Sequence, residues 1–137
     1  MDEGSAALLK RAVARWSKAQ VVYEGPTRAG IPEPLLLVDE VAARPDCHDA
    51  LLSLLSSQNQ LVVAYVLLTL RRMGSAALAE LPKGLLERRE KITLDCGSFR
   101  NSMDLGGLAR QFRKEATGLR NPAGRAEESP HQDMWKR

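Results

Sequence analysis

The chain has 137 residues, the size of one domain that can bury most of its apolar surface around one core. With 44% hydrophobic and 27% charged residues, it falls among water-soluble globular proteins and outside the disordered and fibrous classes. Its formal net charge of +3, with the two signs interspersed, excludes the dense basic footprint of a dedicated DNA-binding domain.

Aromatic residues make up only 4%, so Leu, Val and Ala must build the core. Abundant Leu, Ala and Arg favour helix over sheet, and an all-α fold is expected. Met1 to Ser5 is acidic and lacks the charged-then-apolar layout of a secretory leader. The longest apolar run, Leu61 to Leu70, is about half a membrane span. A cytoplasmic chain with no membrane partner is therefore expected. Cys47 and Cys96 are single and far apart, which suggests two reduced thiols rather than a disulfide framework.

In chain order, Leu8, Leu9, Ala12, Val13 and Trp16 recur at helical spacing, with Lys10, Arg11, Arg15 and Lys18 on the remaining surface. This predicts an amphipathic first helix from Ser5 to about Gln20, capped by Ser5 or Asp2. Gly25, Pro26 and Gly30 make residues 24–33 a loop. Pro34 suits the first position of a second helix, which Pro45 stops near Arg44. Asp46 is placed to cap a third helix that carries Leu51, Leu52, Leu54 and Leu55. Asn59 begins a fourth, running to Met73 and closed by Gly74. Because Leu61 to Leu70 is apolar on every side except Thr69, that helix must lie at the centre, with others packed around it.

Ser75 to Leu81 reads as a short helix ended by Pro82, and Leu85 to Arg89 as a further turn. Lys91 to Asp95 alternates polar and apolar residues, which predicts an extended segment with no evident strand partner. Ser102 is expected to cap a last helix from Met103 to Thr117, with Leu105, Leu108, Ala109 and Phe112 facing inward. The whole reads as a compact bundle of five to six helices over residues 1–117. Residues 118–137, rich in Pro, Gly and charge, read as a mobile tail.

The letters from Leu54 to Gly74 resemble a HEAT repeat, in which a double leucine ends one helix, a short polar turn follows, and a second helix closes on leucine and glycine. Leu54, Leu55, Asn59, Val62, Tyr65, Val66, Leu70, Met73 and Gly74 carry the likeness. The usual Asp-Pro turn is replaced by Ser57 to Gln60, and Val63 stands where such repeats commonly have arginine. No second copy follows at a period of about 40 residues. The resemblance implies a scaffold that holds partners rather than transforming substrates.

Candidate chemistry is sparse. Asp46-Cys47-His48-Asp49 gathers four polar groups, but adjacent residues on a helix point about 100° apart, whereas ligands sharing a face need a spacing of three or four. No metal and no cofactor is expected, and no catalytic constellation emerges; His131 lies in the tail. Cys96-Gly97-Ser98-Phe99-Arg100-Asn101-Ser102 precedes the last helix. There, amides of Gly97 and Ser98, the helix start at Ser102 and the Arg100 guanidinium are placed to hold an anion. Phe99 is expected to anchor this connection in the core. Arg110, Arg113 and Lys114 extend the basic character along the last helix. Trp16 and Leu35, Leu36 and Leu37 are the candidate partner-binding surface. The reading is a non-catalytic helical interaction module that binds another protein or a second copy of itself. Nucleic-acid or small-anion binding through the basic second half is the alternative.

Overall fold

The computed structural model describes residues 1–119, and the fourth helix is the piece on which most of the other elements pack. Helix α4, Gln60–Arg72, begins where the Asn59 side chain accepts hydrogen bonds from the amides of Leu61 (2.9 Å) and Val62 (3.2 Å). These amides have no partner inside the helix, so the cap replaces water for two of the four open donors. At the other end Gly74 takes φ +68°, the left-handed region that a β-carbon disfavours. Its amide then reaches the Arg71 carbonyl, and that of Ser75 reaches Leu70, each at 3.0 Å, a double closure of the last turn. All residues from Val62 to Leu70 are buried. Thr69 is satisfied there because its hydroxyl donates to the Tyr65 carbonyl at 2.7 Å. Each fully buried valine or leucine contributes about 2 kcal/mol, which makes this helix the main apolar ledger of the fold.

Around it lie α1 (Glu3–Ser17), α2 (Glu33–Ala42), α3 (His48–Leu54), α5 (Lys83–Leu86) and α6 (Leu105–Leu119). With α4 they make six α-helices among the described residues, and 3-10 turns lie at Pro45–Cys47 and Ala76–Glu80. The first two pack on each other and on α4, while α6 packs on α4, α5 and the second 3-10 turn. No helix among the described residues is long and apolar enough to cross a membrane.

The fold is mostly α rather than all-α. A three-stranded sheet in the order β1-β2-β3 joins Val22–Tyr23, Lys91–Asp95 and Arg100–Asp104. Strand β2 pairs parallel with β1, Val22 opposite Leu94, and antiparallel with β3, Thr93 opposite Ser102. The extended segment 91–95 therefore has partners on both sides. Ile92 and Leu94 turn into the core beneath it.

Several boundaries differ from expectation for local physical reasons. Ser102 lies inside β3, and α6 starts at Leu105. Its first turn is closed by Asp104, whose Oδ1 accepts the Gly107 amide at 2.7 Å. Gly106 fits because a β-carbon there would come within 2.5 Å of the Leu86 carbonyl oxygen and 2.7 Å of that of Arg88. Helix α6 continues through Gly118 to Leu119, and the rest of the expected tail lies outside the described residues. Pro34 is the second residue of α2, with Pro32 at the cap. Asp46 does not cap α3. It reaches back to α1 instead, accepting from the Ser5 hydroxyl (2.9 Å) and the Asp2 amide (3.1 Å). Those bonds hold its carboxyl below the usual carboxylate range, the Asp2 amide contributing most.

Candidate functional site

The connection between β2 and β3 was the expected anion site, and it already holds an anion of the chain's own. Asp95 accepts the Gly97 amide on Oδ1 at 2.8 Å and the Arg100 guanidinium on Oδ2 at 3.0 Å. Asp95 is 7% exposed, and its pKa is lowered first by the Gly97 amide and then by Arg100. The Gly97 amide and the Arg100 guanidinium thus point inward at Asp95 rather than out toward an outside phosphate. Gly97 has φ +93°, and a β-carbon on it would fall 2.6 Å from the Pro26 carbonyl oxygen. Backbone closeness to the 24–30 loop explains this glycine. Ser98 is exposed in the turn, and Ser102 is paired in β3 rather than capping a helix. Phe99 is 62% exposed at the hairpin tip and anchors nothing.

Along α6 the three basic residues share one depression of about 690 Å³, lined by Ala79, Arg110, Arg113, Lys114, Thr117 and Gly118. Arg110 is already committed: it donates to the Leu86 carbonyl and lies 3.7 Å from Asp104. Arg113 and Lys114 are exposed. Elsewhere in the second half several cations are engaged. Arg71 sits over the Phe112 ring at 4.3 Å and 3.7 Å from Glu115, and Arg72 pairs with Asp39 at 3.1 Å.

Of the expected partner surface, half turns inward. Trp16 is fully buried, stacked on Tyr65 with ring centroids 5.7 Å apart and donating from Nε1 to the Pro34 carbonyl at 2.9 Å. Leu37 is also buried. Leu35 is half-buried and Leu36 is 44% exposed. The apolar face seen at helical spacing is therefore mostly core, with Leu36 left outside.

Cys47 is buried against the Ser5 carbonyl, and burial raises its thiol pKa. A nucleophilic thiolate needs the opposite shift. His48 bonds the Ser75 hydroxyl through Nε2 at 2.7 Å, and Cys96 is exposed in the hairpin turn. Among the described residues no three His, Cys, Asp or Glu side chains gather as a metal site.

The concavity that sequence reasoning missed lies where the end of α3 meets α5. It is an open groove of about 680 Å³ whose lining includes Leu52, Leu55, Pro82, Gly84 and Leu85. Arg88 and Glu90 form its polar wall. The guanidinium of Arg88 donates to the carbonyls of Ser57 (2.6 Å) and Gln58 (3.2 Å) and pairs with Glu90. It ties the α3–α4 turn to the start of the sheet. That pairing holds the Glu90 carboxyl below its usual range. Both charges are thereby engaged in holding the wall, and much of the remaining lining is apolar. A local signal existed in the adjacent leucines Leu54-Leu55 and Leu85-Leu86, but nothing in the letters places the two pairs together. Compared with protein-family models, curated proteins and solved structures, the chain matches none of them.

Proposed function

We propose that this chain is a non-catalytic interaction module, a mostly helical scaffold that holds another protein at its surface. The observation that carries this reading is the groove between α3 and α5: about 680 Å³, floored by leucines and proline, with its two charged side chains bound to each other. Open apolar concavities of this kind take up apolar side chains of a partner, since burying them removes leucine surface from water. The HEAT-like letters at Leu54 to Gly74 point the same way by resemblance.

Gly84 provides a clean test. A β-carbon there meets nothing within 4 Å, so Gly84→Arg obstructs the groove without forcing the backbone. Affinity capture from the chain's own cell extract is expected to recover a partner with the unaltered chain and to lose it with G84R, the melting temperature unchanged. Equal capture by both, or none by either, would overturn the reading.

A second reading, contact with phosphate groups, is favoured only by Arg113 and Lys114 at the depression on α6. Labelled DNA and RNA titrated at two salt concentrations separate the two, because binding through phosphates weakens steeply with salt. Salt-insensitive or absent binding removes this alternative.

A further inference from the structure

We propose that the outer edge of β3 pairs with the β3 edge of a second copy of this chain, antiparallel and two-fold symmetric about Ser102. This names one partner for the interaction reading and rests on it, but it uses residues outside the groove.

Strand β3 is the last in the sheet order, so among the described residues one side of its backbone is unpaired. The hydrogen-bond alternation identifies which residues face that side. The Cys96 amide donates to the Phe99 carbonyl, and the Leu105 amide to the Glu90 carbonyl. Both bonds join residues flanking β2 to odd-numbered residues flanking β3. In an antiparallel ladder such residues alternate, so Asn101 and Met103 turn their backbone groups toward β2, while Arg100, Ser102 and Asp104 turn theirs outward. The register is unbroken from Asp95–Arg100 to Lys91–Asp104. The strand contains no Pro or bulge; of the features that ordinarily protect an edge it is short and has two charges, Arg100 and Asp104.

The strand Arg100-Asn101-Ser102-Met103-Asp104 is complementary to its own reverse. Laid antiparallel with Ser102 opposite Ser102 of the second copy, Arg100 falls opposite Asp104 of that copy. In this register outward backbone groups meet outward groups, for about six hydrogen bonds across the seam. It is the only register that pairs all three outward residues of each strand. Centring on Arg100 or on Asp104 instead sets like charges against each other. Across the joined sheet the row reads Asp95, Arg100, then Asp104 and Lys91 of the second copy, with charges alternating at every step. Opposite charges directly across a strand pair are stabilising and like charges destabilising. Asp104 uses Oδ1 to close α6 and to approach Arg110, and its Oδ2 accepts no hydrogen bond among the described residues.

Ser102 lies at the symmetry centre and is exposed, so its substitution tests the seam without disturbing the core. Sedimentation velocity of the full chain is expected to show a dimer. Ser102→Lys and Ser102→Glu each set two like charges against each other and weaken the dimer by about tenfold. Mixing S102K with S102E in equal amounts restores it as a heterodimer. A wild type that stays monomeric at the highest attainable concentration, or variants that dimerise as it does, would overturn the inference. G84R is expected to remain dimeric. A monomeric wild type whose captured partner is still lost in G84R would therefore sink the β3 pairing while leaving the interaction reading intact.

Discussion

Replacing Tyr65 with Phe removes one oxygen from the centre of the molecule and should cost about 2–4 kcal/mol. The ring of Tyr65 is fully buried on α4 and stacked on Trp16, and the phenylalanine ring keeps that packing. What disappears is a pair of bonds: Oη donates to the Val21 carbonyl at 2.7 Å and accepts the Tyr23 amide at 3.0 Å. Both backbone groups lie at the strand that joins the sheet to the helices. Each group left without a partner costs about 1–3 kcal/mol, the partly buried Tyr23 amide falling at the low end. At a urea slope near 2 kcal/mol/M, the midpoint should fall by about 1–2 M. Alkaline pH supplies an independent check. Burial pushes the Tyr65 hydroxyl up to about 12, against an ordinary value near 10. A group whose folded pKa is raised contributes stability below its unfolded value and loses it as pH rises through the folded one. The stability advantage of wild type over Y65F should therefore shrink between about pH 10 and 12, by up to about 3 kcal/mol. A midpoint shift below a few tenths molar, or an advantage that does not shrink with pH, would refute the reasoning.

Two glycines should respond oppositely to alanine. Gly106→Ala drives a β-carbon into the Leu86 and Arg88 carbonyls and should cost about 1–3 kcal/mol, whereas Gly84→Ala meets open space and should gain up to about 1 kcal/mol; thermal melts of both decide it. In acid, Asp46, Glu90 and Asp95 all have lowered folded values, so their contribution is present above the ordinary carboxylate range and lost as pH falls through and below it. The melting temperature should hold from pH 7 to about 5 and drop below about 4, with a shallower acid limb in Asp95→Asn; an identical limb in that variant would contradict the role given to Asp95.

Helix α4 could be read from its letters because every signal there agreed: Asn59 to start it, ten nearly unbroken apolar residues, Gly74 to stop it. The sheet could not, because β3 has no strand pattern of its own. Arg100-Asn101-Ser102-Met103-Asp104 is extended because β2 lies beside it, an interaction between segments rather than a local preference. Ser102 could equally have capped a helix. Asp104, two residues on, takes that role, and both choices look alike in the chain. Trp16 shows a similar limit, since an apolar face at helical spacing fits a core and a partner site equally well, and only Tyr65 and the Pro34 carbonyl decide between them. The connection expected to hold an anion differs for a local reason. Asp95-Cys96-Gly97 is an Asx turn, in which an aspartate bonds the amide two residues on, and that signal marks Gly97 as already engaged. The groove needed the chain to bring Leu52 and Leu55 beside Pro82 and Leu85, which no spacing encodes.

The central claim is that the interior of this protein is structural, one cooperative core around α4, with function left to its surface. Residue-level hydrogen exchange tests this most directly. The amides of Val63 to Leu70 are predicted to be among the slowest, opening with the same free energy that urea unfolding gives for the whole chain. Exchange of those amides through local openings well below the global value would contradict the account, since it would make α4 a mobile element rather than the core on which the groove and the sheet edge are built.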